Sequence, residues 1–333
     1  MGFFNDRLDI KADYYSQDNT NQTLSIAAPP ESGYNNVVLN AGEIKSYGEE
    51  FSLNAIVFQK GPNSVGWTVG TNFSINDSKV ISLYGGQSSL FLGGNSYAVV
   101  GKAFPQLQVS DFERVGNSPT GAIIVDPSTG EGTPSAALSD EGRTTPKYDL
   151  GVNTMLSYKF ITLTIVAEYR GGNVIYNGLG PEMTFAGSDA FSSQAGRQIF
   201  VIPGSVNAVT GSNGSVTYVP NTTPTPSGGI SYWVNFPGAP SKEQAPYVTS
   251  AAFWKIREVA LDFNLSKFIT NKKYIKGLSL GINARNLLTF LPKSEMWGDP
   301  EQDDAGTGNS IGTNSSSELP SSRYFGGQLK VTF

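Results

Sequence analysis

The sequence predicts an all-β protein, an antiparallel transmembrane β-barrel segment of about eight strands with long extracellular loops. The composition favours strands, because glycine (38 residues) and aromatic side chains (11%) are abundant while charged residues make up only 15%, against about 25% in a typical soluble domain. Apolar and polar residues alternate along eight segments. The connections between these segments alternate between long and short.

The first four segments lie at 8–14, 51–57, 65–75 and 147–160, and each carries its apolar residues at every second position, as a strand with one apolar face does. Their apolar sets are Leu8, Ile10, Ala12 and Tyr14; Phe51, Leu53, Ala55 and Val57; Val65, Trp67, Val69, Phe73 and Ile75; and Tyr148, Leu150, Val152, Leu156, Tyr158 and Phe160. The positions between them are mainly polar or glycine, so each segment predicts a strand with one apolar and one polar face.

The last four segments lie at 161–170, 254–265, 277–290 and 324–333. Their apolar sets are Ile161, Leu163, Ile165, Ala167 and Tyr169; Trp254, Ile256, Val259, Leu261, Phe263 and Leu265; Leu278, Leu280, Ile282, Ala284, Leu288 and Phe290; and Phe325, Leu329, Val331 and Phe333. The second set changes phase once, which predicts a β-bulge at Arg257–Glu258. We expect these two side chains to form an ion pair in the polar wall.

The connections support a membrane barrel over a soluble sandwich. Long connections cover roughly 17–42, 82–145, 172–248 and 291–323, and short ones cover 59–64, 159–160 and 269–277. Outer-membrane barrels combine short periplasmic turns with long extracellular loops in this way. Aromatic residues at segment ends fit interfacial girdles.

Several functional classes are excluded by residues that the sequence lacks. Histidine and cysteine are absent, which removes the commonest general base, a Ser–His–Asp triad and thiolate metal sites. A net charge of −5 gives no basic footprint for nucleic acid. We therefore expect no enzyme and no cofactor.

Two loop regions carry the candidate site residues. Tyr176, Tyr232, Trp233 and Trp297 are predicted to contact substrate or a partner, because aromatic rings stack on sugars and grip peptides; packing among the loops themselves is the alternative. Asp299, Glu301, Asp303 and Asp304 form an acidic cluster. They are weak candidates for a calcium site, and a solvated acidic loop is the favoured interpretation because their spacing does not match an EF-hand.

The chain resembles the C-terminal part of SusC/RagA-type TonB-dependent outer-membrane transporters of Bacteroidetes. The stretches that carry the resemblance are FFNDRLDIKADYY (3–15), SGYNNVVLNAGEIKSYGEEFSL (32–53), VGKAFPQL (100–107), TPKYDLGVNTMLSYKF (145–160), REVALDFNL (257–265), INARNLLTF (282–290), GDPEQDD (298–304) and the final strand. Together and in this order they are specific, although each is weak alone.

The resemblance implies that residues 1–333 are part of a larger, 22-stranded barrel, with the plug and N-terminal domains outside this chain. It implies import of an oligosaccharide or oligopeptide across the bacterial outer membrane by a multi-pass protein surrounded by lipid. A SusD-like surface lipoprotein would bind at the long loops, and the TonB complex would act through the plug. The final aromatic, Phe333, would be the signal for the barrel assembly machinery.

Two other functions fit the same residues. One is a soluble all-β carbohydrate-binding module, which would fold in plain buffer. The other is a passive outer-membrane pore, which would show no energised uptake.

Overall fold

The computed structural model describes residues 2–27, 30–34, 36–61, 63–234, 243–270, 273–303 and 308–333. Its strands in chain order are β1 Gly2–Phe3, β2 Leu8–Ala27, β3 Asn36–Phe58, β4 Val65–Leu83, β5 Ser89–Gly93, β6 Ser96–Val99, β7 Gln106–Val109, β8 Ser139–Arg143, β9 Tyr148–Tyr158, β10 Ile161–Gly171, β11 Val174–Asn177, β12 Val206–Thr210, β13 Val216–Pro220, β14 Val248–Ser250, β15 Phe253–Asn264, β16 Gly277–Phe290, β17 Thr313–Asn314 and β18 Tyr324–Thr332. The helices are α1 Leu179–Phe185, α2 Gly229–Val234 and short 3₁₀ turns at Pro30–Ser32, Tyr84–Gly86, Val115–Asn117, Phe191–Arg197, Ala245–Tyr247 and Ser266–Phe268.

One large antiparallel sheet organises the molecule, with strands in the order β1-β2-β3-β4-β9-β10-β15-β16-β18. Strands that follow one another in the sheet also follow one another in sequence, apart from strands in the long connections. Each of the eight alternating segments corresponds to one of these strands, with ends that extend at most two residues beyond it. The prediction of a mostly β-strand, antiparallel protein is confirmed.

The register of the sheet brings the apolar positions of neighbouring strands into common rows. One row runs through Trp67, Leu156, Leu163, Leu261 and Ile282, and each residue is directly opposite the next. The row on the other face runs through Lys11, Ser52, Asn72, Gly151, Glu168 and Lys255. Because side chains alternate between the faces of a strand, the sheet is apolar on one side and polar on the other.

The first long connection was predicted at 17–42, and this prediction is wrong. Strands β2 and β3 continue as a paired ladder from Leu8↔Ala55 to Ala27↔Asn36, with irregular register between Asn19 and Thr23. Pairing depends on backbone hydrogen bonds. In the outer part of this hairpin, apolar residues do not occur at every second position. The alternation of apolar and polar residues therefore predicted only the inner part of β2 and β3 as strand.

The β-bulge predicted at Arg257–Glu258 is confirmed. Ile256 is opposite Ala167 and Glu258 is opposite Val166, so Arg257 has no residue opposite it on β10. The pairing of β15 with β16 skips the same residue. The extra residue keeps the apolar residues of β15 on the same face of the sheet before and after the bulge.

The buried residues lie mainly in the long connections. Strands β5–β8 form a four-stranded sheet, β14-β11-β17 a three-stranded one, and β12 and β13 a hairpin. One core cluster contains Val80, Leu83 and Ala98, and another contains Val125, Ile202, Tyr232 and Trp233. Across the part of the chain that the structure describes, no helix is long and apolar enough to cross a membrane.

Candidate functional site

A cavity of about 500 Å³ lies on the polar face of the large sheet, spanning β2 to β15. Six strands contribute residues to the wall of this cavity, mainly from their polar faces. Gly151 is one of these residues, and because it has no side chain it leaves room above the backbone. Its charged lining consists of Lys11, Asp13, Glu50, Asp149, Glu168 and Arg257. Such a wall is suited to water and polar solutes rather than to apolar ligands.

The bulge in β15 concentrates charge beside this cavity. Arg257 Nε donates to Glu168 Oε2 at 2.5 Å, and Arg257 Nη1 donates to Glu301 Oε2 at 2.8 Å. Arg170 forms ion pairs with Glu168 at 2.6 Å and with Asp149 at 3.2 Å. The result is a network of alternating charges that joins β9, β10 and β15 to the segment around residue 301.

Lys255, two residues before the bulged residue, holds the same segment. Its Nζ lies 2.7 Å from Asp299 Oδ2 and 2.5 Å from Glu301 Oε2, and its side chain is only 3% exposed. Two carboxylates therefore compensate one buried ammonium group. These contacts fasten the segment 299–301, in the last long connection, over the polar face of the sheet.

The predicted ion pair between Arg257 and Glu258 is wrong. Glu258 lies opposite Arg285 of β16, and their charged atoms are 3.5 Å apart. Arg257, as the extra residue of the bulge, turns instead towards Glu168 and Glu301. At a bulge, the side chains of consecutive residues do not point in the directions expected for a regular strand. The ion-pair partners of Arg257 and Glu258 therefore could not be inferred from their being neighbours in the sequence.

The acidic cluster is held by donors from this chain. Asp299 and Glu301 bind Lys255, and Asp303 Oδ2 accepts hydrogen bonds from the backbone amides of Gly312 and Thr313. Asp304 lies outside the described residues. Among the residues that are described, no group of three or more carboxylate, histidine or cysteine side chains is arranged to hold a metal ion.

The electrostatics of Glu301 follow from these contacts. Burial raises the pKa of its carboxyl, but hydrogen bonds from Arg257 and Lys255 outweigh burial and lower the pKa from 4.5 to about 2. Glu301 is therefore a carboxylate at every physiological pH. Its charge serves to hold the loop on the sheet.

Three of the four predicted contact aromatics lie inside the loop region. Tyr232, Trp233 and Trp297 are 5–7% exposed. Trp233 stacks on Phe191 with ring centroids 5.2 Å apart, and Trp297 packs edge-on to Phe191 and Tyr247. These rings form a buried aromatic cluster, so packing among the loops, the alternative interpretation, describes their positions in this structure.

Tyr176 is less enclosed than these three. It lies in β11, opposite Val248 of β14, and its backbone N–H donates to Gly312 O at 2.9 Å. Burial raises the pKa of its phenol. Its role in contacting substrate or a partner stays a prediction.

Phe333 follows the last strand and is 77% exposed. Phe325 and Leu329, on the same parity, are also highly exposed, and β18 pairs with β16 on one side, at the end of the sheet order. The role of Phe333 as an assembly signal stays a prediction.

The charged network was not predicted as a site. Glu168, Arg170 and Lys255 all fall on the polar parity of their strands, so alternation predicted the face but not the ion pairs. Phe191 and Tyr247, the other members of the aromatic cluster, lie in loops without periodicity. No pattern in the sequence could have identified them.

Comparison with known proteins gives relatives of one kind. No family model matches the chain. TonB-dependent receptor P3 of Formosa agariphila is 23% identical over 317 residues, covering 87% of this chain and 28% of that receptor. TonB-dependent receptor P26 of the same bacterium is 24% identical over 196 residues, covering 52% of this chain and 19% of the receptor.

Solved structures show the same likeness in fold. A structure of the RagAB peptide transporter superposes with a TM-score of 0.70 at 18% identity, covering all of this chain and 34% of that chain. The RagAB peptide importer in its "closed-closed" state gives 0.67 at 18% identity, with the same coverage. This chain spans about a third or less of the proteins it matches.

The predicted resemblance to SusC/RagA-type TonB-dependent transporters of Bacteroidetes is confirmed, in sequence by the Formosa receptors and in fold by the RagAB structures. The relatives are named as receptors and transporters, which is consistent with a non-enzymatic role. They point to the outer membrane as the location.

Proposed function

We propose that this chain forms the C-terminal part of a 22-stranded outer-membrane barrel that imports an oligosaccharide or oligopeptide. The observation that carries the proposal is the two-faced sheet. One apolar row, from Trp67 to Ile282, runs unbroken across the neighbouring strands β4 to β16, and the opposite face carries ion pairs. Lipid on one side and a water-filled lumen on the other require this arrangement.

The partners follow from the same proposal. A plug within the full-length protein would lie against the polar face, and TonB would act on that plug. A SusD-like surface lipoprotein would cover the long connections 82–145, 172–248 and 291–323. Peptides are the first substrates to test, because the structural neighbour is named a peptide transporter.

The two faces can be tested separately because the chain contains no cysteine. Ile282 and Asn283 are adjacent on β16, on the apolar and the polar parity. In full-length protein in outer membranes, a membrane-impermeant maleimide is expected to label Asn283→Cys and leave Ile282→Cys largely unlabelled. Equal labelling of the two variants in the membrane would contradict the assignment of the faces, and folding in plain buffer would favour the soluble binding module.

Transport itself is tested by uptake. Cells that lack the parent gene are expected to lose uptake of labelled oligopeptides or oligosaccharides, and a protonophore should abolish uptake in wild-type cells. Uptake that persists after the membrane is de-energised would instead support the passive pore. Co-purification of a surface lipoprotein with the tagged full-length protein tests the partner.

A further inference from the structure

Three short connections of the large sheet carry only positive charge, whereas the fourth, residues 4–7 between β1 and β2, carries both Asp6 and Arg7. Connections 59–64, 159–160 and 265–276 contain six lysines and no aspartate or glutamate, although the whole chain has a net charge of −5. The lysines are Lys60, Lys159, Lys267, Lys272, Lys273 and Lys276, of which Lys272 lies outside the described residues. Chance placement along the chain would bring acidic residues into these turns as well.

The sheet register brings the three connections together. Val65, which follows the first, is opposite Tyr158, and Ile161, which follows the second, is opposite Phe263. The third connection begins directly after β15. The three connections therefore lie at one end of six neighbouring strands, β3, β4, β9, β10, β15 and β16, and this end is opposite the long connections.

Aromatic rings lie beneath several of these ammonium groups. Lys159 Nζ is 5.1 Å from the ring centroid of Tyr158, and Lys267 Nζ is 5.0 Å from that of Phe160 and 5.2 Å from that of Phe268. Phe160 and Phe268 also contact each other edge-on. These distances are within the range of cation–π contacts, so Lys159 and Lys267 are each held beside an aromatic surface.

Four of these lysines have no carboxylate partner among the described residues. Within the ranges that the structure describes, none of the ion pairs involves Lys60, Lys159, Lys267 or Lys276. All four are exposed. Lysines elsewhere are often paired, as Lys255 is with Asp299.

We propose that this lysine–aromatic belt, formed by connections 59–64, 159–160 and 265–276 and by Tyr158, binds the phosphate groups of anionic glycerophospholipids in the leaflet on the short-turn side. The proposal rests on the proposed function, since it requires the apolar face to lie in a bilayer. Rings at headgroup depth and lysines whose stems lie along apolar surface bring ammonium groups to the phosphates. A free phosphate would gain nothing from the adjoining apolar face.

The test compares lipids bound to the purified full-length protein. Native mass spectrometry after incubation with equal amounts of phosphatidylglycerol and phosphatidylcholine is expected to show preferential retention of phosphatidylglycerol. Because one lysine near an anionic surface contributes about fivefold in binding, Lys159→Gln/Lys267→Gln should lower the ratio of the two lipids by at least about fivefold. The corresponding double arginine variant should retain the preference.

The matched control replaces two exposed lysines of the long connections, Lys102→Gln/Lys293→Gln, and should leave the ratio unchanged. Equal retention of both lipids by wild type, an unchanged ratio in Lys159→Gln/Lys267→Gln, or an equal fall in the control would overturn the proposal. Displacement of the lipid by inorganic phosphate at constant ionic strength would overturn the commitment to a lipid. Lipid retention is measured without substrate or energy, so a failure of uptake bears on the proposed function alone.

Discussion

The ion pairs of Lys255 hold the segment 299–301 against the large sheet, and Lys255→Met tests how much they contribute. The ammonium group is nearly inaccessible to solvent, and its two carboxylate partners are 10% (Asp299) and 30% (Glu301) exposed. Methionine keeps most of the volume of the stem and removes the charge. The substitution therefore leaves two carboxylates facing each other without the cation between them.

The expected magnitude follows from burial and from the remaining partners. Removing one member of a fully buried ion pair costs about 3–5 kcal/mol. Glu301 is partly exposed and keeps Arg257 as a partner, which reduces the expected cost of local opening to about 2–3 kcal/mol. An opening equilibrium shifted by that amount raises amide exchange about 30- to 150-fold.

Hydrogen exchange measured by mass spectrometry on the full-length protein reports this directly. Within the segment, Gln302 N–H donates to Asp299 O at 2.9 Å and Glu301 N–H donates to Asp299 Oδ1 at 3.1 Å. The matched control is Lys45→Met, whose exposed pair with Asp18 is 3.7 Å long and should contribute less than about 1 kcal/mol. An increase below about threefold in Lys255→Met, or equal local increases in both variants, would refute the reasoning.

Three further predictions concern the loop, its core and the last strand. The folded-state pKa of Glu301 is about 2 rather than 4.5, so the stabilisation that its carboxylate gives to the loop is complete above about pH 4.5 and is lost as pH falls towards 2. Amide hydrogen exchange around residue 301, corrected for intrinsic rates, should therefore rise as pH falls through this window. Glu301→Gln should abolish this pH dependence. Trp233→Ala, which removes a ring stacked on Phe191, should cost the loop core about 3–5 kcal/mol and raise exchange in 191–234 while β9 stays protected; simultaneous loss in β9 would contradict a separate core. Phe333→Asp should reduce outer-membrane insertion, scored by heat-modifiable gel mobility, whereas Thr332→Asp should insert normally; normal insertion of both would argue against the assembly signal.

Alternation predicted the large sheet well because a strand between two different environments must repeat every second residue. The apolar residues of 277–290 and 254–265, including the phase change at Arg257, correspond to observed strands and to the observed bulge. Alternation gave no signal in the outer part of the first hairpin, where residues 16–23 are all polar and Val37, Val38 and Leu39 follow one another. Strands β2 and β3 extend through residues that were expected to form a loop, because hydrogen-bond pairing there leaves no trace in hydropathy.

For the candidate site, the sequence predicted only which residues lie on the polar face of the sheet and not which of them form ion pairs. Glu168 and Lys255 are assigned to the polar side by parity. However, Glu168 pairs with Arg257, 89 residues distant along the chain, and Lys255 pairs with Asp299, 44 residues distant. Loop residues have no period, so burial of Trp233 and Trp297 could not be distinguished from exposure. The sequence shows that aromatic residues are present in these loops, but only the packing of the loops shows that the rings contact each other.

The sequence by itself determined which residues of each strand share a face and where the short turns and their lysines lie. These are local properties, set by the two-residue repeat of an extended backbone. The tertiary structure alone decided that Arg257 pairs with Glu168 rather than Glu258, and that the acidic loop is fastened to Lys255. Those choices depend on register and on the approach of distant segments, and electrostatic attraction acts through space irrespective of separation along the chain.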